Sequence, residues 1–203
     1  MFKTLVNAWR IKEIRMKILF TIFIILIFRI GSVIPVPFID TSTLSAAMSA
    51  NSGDFFSYLN ILTGGAMQYG ALFAMSVTPY INASIIMNLL TVAIPALERI
   101  AKEGEDGQKK IAKYTRYATV ILGLIQGFAF WMYLQTTQKL PDGNPGTFLS
   151  IKHPNLGENI FVAAVIILCF TAGTALMMWL GERIDEKGIG NGISMLLFAG
   201  IIS

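Results

Sequence analysis

Charged and apolar positions are segregated along this chain. Residues 117–138 carry no charge, nor do 159–181 or 188–203, and the longest neutral run, Phe55–Leu97, extends over 43 residues. A helix that crosses a bilayer needs about 20 apolar residues, so each run predicts a membrane segment. An earlier apolar run predicts span one over 18–34, interrupted only by Arg29 in its outer half. There the long arginine stem reaches the interface, or the guanidinium takes part in a structural ion pair. Ile34-Pro35-Val36-Pro37 ends that helix, because proline denies it backbone donors. Before it, Phe2, Leu5, Val6 and Trp9 at helical spacing predict an amphipathic basic helix over 1–17 on the inner membrane surface. The span has no small-residue cleavage site at its end and is read as retained rather than as a signal peptide.

The 43-residue run is too long for one passage. As a single helix it would measure ~65 Å at 1.5 Å per residue, against a hydrocarbon core about 30 Å thick. Asp54 precedes it on one side of the membrane and Glu98-Arg99 follow it on the other, so it crosses an odd number of times. Three crossings would take ~60 residues. The remaining solution is a re-entrant segment over 55–70, broken at Gly64-Gly65 and Gly70, followed by span two over 71–95. Non-helical backbone at membrane depth requires a surrounding of protein or a water-filled cavity. The alternative is a helix lying in the outer interface.

Span two has a patterned face. At 100° per residue, Val77, Ile81, Ser84, Asn88 and Thr91 form one stripe that turns from apolar to polar. The stripe predicts either helix–helix hydrogen bonds or a wet inner vestibule closed by a dry constriction. Pro79 predicts a kink in this helix. Span three is expected over 117–134, with Gln126 facing the same cavity or a neighbouring helix. Span four is expected over 160–180, and the start of span five over 190–203. The connection 98–116 reads as a charged loop with a turn at Gly104-Glu105-Asp106-Gly107.

Composition agrees with a membrane solvent. Apolar residues make up 54% and charged residues 14%, with a mean hydropathy of +0.62, whereas soluble domains carry about 25% charged residues. The placement of the basic residues matters more than the net charge of +4. Thirteen of them lie in the segments before span one, between spans two and three, and between spans four and five, whereas the other connections hold only Lys139 and Lys152. Basic loops stay in the cytoplasm, so the N-terminus is expected inside. The basic loops lack interleaved aromatics, which argues against direct nucleic-acid binding.

Candidate chemistry is sparse. Cys169 is the only cysteine and His153 the only histidine, so no disulfide and no metal site is expected. Gly104-Glu105-Asp106-Gly107 lacks the spacing and the Lys-Ser/Thr pair of a phosphate-binding loop. Gly188-Ile189-Gly190-Asn191-Gly192 follows no predicted strand, so it reads as a flexible entry to span five rather than a dinucleotide site. Asn82-Ala83-Ser84 fits a glycosylation pattern but falls inside span two and is set aside. No catalytic residue and no cofactor is expected. Half of a secondary transporter would often show intramembrane Asp, Glu or His, and these spans hold none. An intramembrane enzyme would need a nucleophile beside a base.

Several stretches spread along the chain carry a family resemblance. They are Phe28-Arg29-Ile30-Gly31-Ser32, Gly64-Gly65-Ala66, Pro79-Tyr80-Ile81-Asn82-Ala83-Ser84-Ile85-Ile86, Tyr114-Thr115-Arg116-Tyr117, and Trp179-Leu180-Gly181-Glu182 with Gly188–Ser194. In these the chain resembles the first half of the SecY family of bacterial protein-translocation channels. The resemblance implies an all-α membrane protein, a polytopic helical bundle forming five spans of a ten-span inverted-repeat channel. It also implies an activity: unfolded secretory polypeptides pass through, and hydrophobic segments are released sideways into lipid. The re-entrant segment would be a plug, with Phe55, Phe56, Leu59, Ile61, Leu62, Gly64, Gly65 and Met67. An apolar pore ring would include Val77, Ile81, Ile193 and Leu197, where the family often has Ile at the first and last positions. Asn82, Asn88 and Gln126 would line a lateral gate, with Asn82 standing where Ser is common. The implied partners are SecE-like and SecG-like subunits, a SecA motor or ribosome at the cytoplasmic face, a signal-sequence-bearing polypeptide, the lipid bilayer of the bacterial inner membrane, and the missing C-terminal half of the channel.

Overall fold

In the computed structural model, residues 11–50, 60–61, 63–135, 138–139, 145–146, 148–150 and 156–202 are described. Residues 1–10 of the expected amphipathic helix lie outside this set, as do Phe55, Phe56, Leu59, Leu62 and His153. Among the described residues there are seven helices and one pair of two-residue strands.

Helix α1, Lys12–Gly31, carries the first apolar run and also takes in Lys12–Lys17, which the sequence placed in a separate surface helix. Its buried face is Thr21, Ile24, Phe28 and Gly31, spaced by three and four residues as one helical stripe requires. Ser32 ends it, with its hydroxyl donating to the Phe28 carbonyl at 2.9 Å. The chain then passes through turns at 32–33 and 37–38, with Phe38 left-handed at φ +70°. The Val36 amide donates to the Gly70 carbonyl and the Leu72 amide to the Ile34 carbonyl, both at 2.9 Å, around a bridge between Pro35 and Ala71. The short helix α2, Thr41–Ala50, follows.

Residues 63–77 form turns rather than a helix, and α3 covers only Thr78–Ala93. The expected span over 71–95 is therefore shorter by a full seven residues at its start. Ser76 accounts for the delay: its φ of +50° is left-handed, a conformation that no helix continues through. Pro79 does not kink α3. It sits in the first turn, where its missing donor has no partner to lose. The bend lies instead at Ile94, whose extended φ and ψ, −108° and 113°, separate α3 from α4, Pro95–Ala101. The two axes differ by 105°, because Pro95 disfavours helical dihedrals in the residue before it.

The expected loop 98–116 is mostly helical. Only 102–104 turn, with Gly104 at φ +78°, and α5 runs from Glu105 to Gln135. Glu105, Asp106 and Gly107 thus form the first turn of α5 rather than a loop. Gly107 lies against the end of α4, where a Cβ would stand 1.8 Å from the Ile100 carbonyl oxygen. Strands β1, Gln138–Lys139, and β2, Pro145–Gly146, pair antiparallel. Helix α6, Leu156–Lys187, returns along α5, and α7, Gly192–Ile201, completes the bundle.

By length and apolar composition, α5 and α6 can each cross a membrane, and so can the bent pair α3–α4 taken as one passage. Helix α1 falls outside that measure because of its basic first turns and Arg29, and α7 because it has ten residues. The α5–α6 seam is lined on α5 by Thr115, Thr119, Gly123 and Gly127. Gly123 faces Thr174, and Gly127 faces the Ile167 backbone. Small residues let two helix backbones approach where lipid provides no hydrophobic drive. The bundle buries two apolar clusters. One, at the end carrying the loops, joins Val36, Ile39, Leu44, Met67, Phe130, Phe148 and Phe170. The other lies deeper among α1, α6 and α7.

Candidate functional site

The deeper cluster gathers residues from four directions. Ile24 and Phe28 come from α1, Phe73 and Val77 from the turns before α3, Met177, Leu180 and Ile184 from α6, and Leu196 and Ala199 from α7. Ile81, Ile193 and Leu197 pack against it half-buried. All four residues named for a pore ring are therefore at one place, although 116 positions separate Val77 from Ile193. Val77 is 1% exposed.

Close backbone contacts build this place. The Phe73 ring stacks on Phe28, centroids 6.1 Å apart, and occupies the space where Gly31 would carry a Cβ. The Leu72 carbonyl oxygen would lie 2.1 Å from a Cβ at Gly173. The non-helical stretch 71–77 is thus wedged between α1 and α6, with Ala71, Phe73, Ala74, Ser76 and Val77 buried.

The entry to α7 is tied rather than flexible, which corrects the reading of its glycines. Gly190 turns at φ +77°. Asn191 caps α7 by accepting from the Ser194 amide at 3.0 Å. Asp185 accepts from the Gly192 amide at 2.7 Å. The Thr21 hydroxyl accepts from the Ile189 amide at 3.2 Å and donates to the Lys17 carbonyl at 3.0 Å. Gly192 has no room for a side chain, since a Cβ would stand 2.0 Å from the Gly181 carbonyl oxygen.

Among the described residues, Arg29 meets a backbone carbonyl rather than a carboxylate. Its Nη2 donates to the Ala199 carbonyl in the last turn of α7, and its guanidinium lies 5.7 Å from the Phe28 ring centre.

The gate candidates are spread out. Asn82 and Asn88 are exposed on α3, and Gln126 is half-buried on α5. Along the polar stripe exposure rises from buried Val77, through half-buried Ile81 and Ser84, to exposed Asn88, with Thr91 half-buried. Of the plug candidates within the described residues, Ile61 is exposed and Met67 is buried in the loop-end cluster. Gly64 and Gly65 are both left-handed, at φ +64° and +81°. This stretch is stapled by Asn60, which donates to the Gln68 side chain at 3.1 Å and accepts from the Gln68 amide at 3.0 Å.

At the charged end, Arg116 of α5 and Glu182 of α6 form an ion pair at 2.7 Å. Lys110 pairs with Glu103 at 2.7 Å, and that carboxylate raises the lysine pKa above its ordinary value. Lys109, Lys113, Arg116 and Tyr117 line an open basic recess on α5. Among the described residues, no group of three or more His, Cys, Asp or Glu is placed to hold a metal.

The stretch 71–203 matches the SecY family model. The chain is 43% identical over 202 residues to the protein translocase subunit SecY of Halalkalibacterium halodurans, covering 99% of this chain and 43% of that one. It is 41% identical over 206 residues to that of Bacillus subtilis, covering 100% of this chain and 44% of the relative. For Pseudomonas aeruginosa the identity is 42% over 193 residues, covering 95% and 40%. The chain thus spans less than half the length of these relatives. Among solved structures it is similar to Sec61 in the canine ribosome–channel complex from the endoplasmic reticulum, and to a protein-conducting channel. In each case the TM-score is 0.59 and the identity 18%, covering 92% of this chain and 36% of the other. The fold is therefore that of a helical membrane protein of the protein-conducting-channel class. The sequence matches are more specific: the chain belongs to the SecY family.

Proposed function

We propose that this chain forms one half of a protein-conducting channel in the bacterial inner membrane, with its N-terminus in the cytoplasm. Val77, Ile81, Ile193 and Leu197 contribute the apolar ring that closes around a passing polypeptide. The observation that carries this reading is the convergence of these four side chains, from two separate stretches of chain, on a single apolar cluster. An apolar constriction holds back water and ions because a narrow dry passage cannot replace their hydration. The polar stripe beyond Ile81, with Asn88 exposed, suits the water-filled vestibule on the cytoplasmic side of such a seal.

The other roles rest on membership of the SecY family. Residues 55–70 act as the plug, and the neighbouring turns 71–77, wedged between α1 and α6, are part of the protein surroundings that irregular backbone needs at membrane depth. Asn82, Asn88 and Gln126 face the lateral gate. The remaining half of the channel supplies the opposing wall. SecE-like and SecG-like subunits brace the assembly, and a SecA motor or a ribosome drives or delivers signal-bearing substrates. The chain is a conduit rather than a catalyst.

The test is ion leak through the closed channel. Ile81→Ser and Ile193→Ser, in the complete channel in planar bilayers, are expected to raise resting conductance, whereas Ile85→Ser on the exposed face of α3 leaves it unchanged. Equal conductance in all three variants would remove the ring assignment.

A further inference from the structure

We propose that α1 is a two-point clamp that sets the register of α7, and so the height at which Ile193 and Leu197 stand in the cluster. The first point is Thr21. Its hydroxyl accepts the Ile189 amide at 3.2 Å while its proton is committed to the Lys17 carbonyl at 3.0 Å, and the side chain is 4% exposed. The fit is close, since a Cβ at Gly188 would stand 2.7 Å from the Thr21 oxygen. The second point is Arg29, bonded to the Ala199 carbonyl. Eight residues separate the two points on α1, and ten separate Ile189, in the turn before α7, from Ala199 on α7, so the two segments run parallel and are joined at two points. Ile193 and Leu197 lie between the joints. So do Ile24 and Phe28 on α1 and Leu196 on α7, all buried in one cluster.

A segment held at one point can slide or tilt about it, whereas one held at two points by directional hydrogen bonds cannot. Apolar packing between the joints is non-directional and tolerates a small slip, so the two polar contacts carry the register. Glycine at 188 and the tight turn through Gly190 bring the chain close enough for the Thr21 bond to form. The clamp rests on the pore-ring reading only for its consequence at the seal. The joints themselves are independent of that reading.

The experiment uses the complete channel in membrane vesicles, with Cys169 replaced by Ser, any cysteine of the remaining half removed, and a single cysteine at position 193 or 197. The rate of reaction with a water-soluble maleimide is measured in backgrounds with Thr21, Thr21→Val, Thr21→Ser, and Thr21→Val with Arg29→Gln. Thr21→Val keeps the shape and removes the acceptor. It is expected to change the labelling rate at one or both positions by about fivefold, the factor a net hydrogen bond is worth. Thr21→Ser restores the original rates, and the double variant shifts them further. Unchanged rates in Thr21→Val overturn the clamp, and so does an equal shift in Thr21→Ser, which keeps the hydroxyl. The single variants decide the matter even if the double variant does not accumulate. Ion leak measured on the same vesicles separates the two ideas: shifted labelling without leak supports the clamp and counts against the ring.

Discussion

Asp40 sits one residue ahead of α2, and its carboxylate takes four hydrogen bonds. Oδ1 accepts from the Ser42 amide and hydroxyl at 3.1 and 2.6 Å and from the Thr43 amide at 3.2 Å, while Oδ2 accepts from the Thr43 hydroxyl at 2.8 Å. The Ser42 and Thr43 hydroxyls, in that order, hold its pKa below the ordinary 3.8. A depressed carboxyl stabilises the folded form at pH values above its unfolded pKa, and the contribution is lost as the pH falls through the lower folded value. The first-turn amides of α2 are therefore expected to lose hydrogen-exchange protection only below about pH 4. Asp40→Asn keeps an acceptor and abolishes this acid dependence. Asp40→Ala removes the cap at every pH and costs about 1 kcal/mol locally. Acid dependence persisting in Asp40→Asn would assign it to another group. The residue scale is also where the sequence was least explicit. Arg29 showed itself as a costly charge, but its acceptor lies 170 positions away on a backbone carbonyl, which no local pattern encodes. Ser76 gave no sign of a left-handed conformation, since serine is not a residue that demands one.

Among the elements, the bent pair α3–α4 separates what was legible from what was not. The apolar run marked a candidate membrane passage, which the bent pair fits by length and composition, but the kink was assigned to Pro79 when Pro95 makes it. Both prolines were visible. The difference is position: the first opens a helix and the second follows one, and where a helix opens was decided by Ser76. Removing the restriction at 95 has a measurable result. With spin labels at Asn88 and Arg99, Cα separation is about 10 Å across the bend and about 16 Å along a continuous helix. Pro95→Ala is expected to shift the distance distribution toward the longer value. An unchanged distribution would assign the bend to the packing of α4 against Gly107 instead. The α5–α6 seam was readable and went unread: Thr115, Thr119, Gly123 and Gly127 recur every four residues, while the sequence reading singled out only Gln126 in span three.

At the scale of the whole molecule, the segregation of charge makes a prediction about sides. The 13 basic residues placed inward include Lys109, on the first turns of α5, whereas Lys152 belongs to a connection placed outward. In right-side-out vesicles an impermeant thiol reagent is expected to label Lys152→Cys and spare Lys109→Cys, both with Cys169 replaced. The reverse pattern would invert the whole assignment. The grouping of Val77 and Ile81 with Ile193 and Leu197 was legible at this scale only through family resemblance. Periodicity placed Val77 and Ile81 on one stripe of span two, whereas Ile193 and Leu197 came from the resemblance alone, and nothing within either stretch says that the two meet. That meeting depends on Phe73 filling the space over Gly31 and on Gly192 touching the Gly181 backbone.

The bridge between Pro35 and Ala71 has one further consequence. It ties off the chain at the neck of a long bight, so the distance from α1 to the wedge before α3 is set there. Val36, Ile39, Leu44 and Met67 remain bound into the loop-end cluster, so only changes that spare them leave the bundle's spacing as it is. A lineage could therefore vary the rest of the bight while inheriting the frame unchanged.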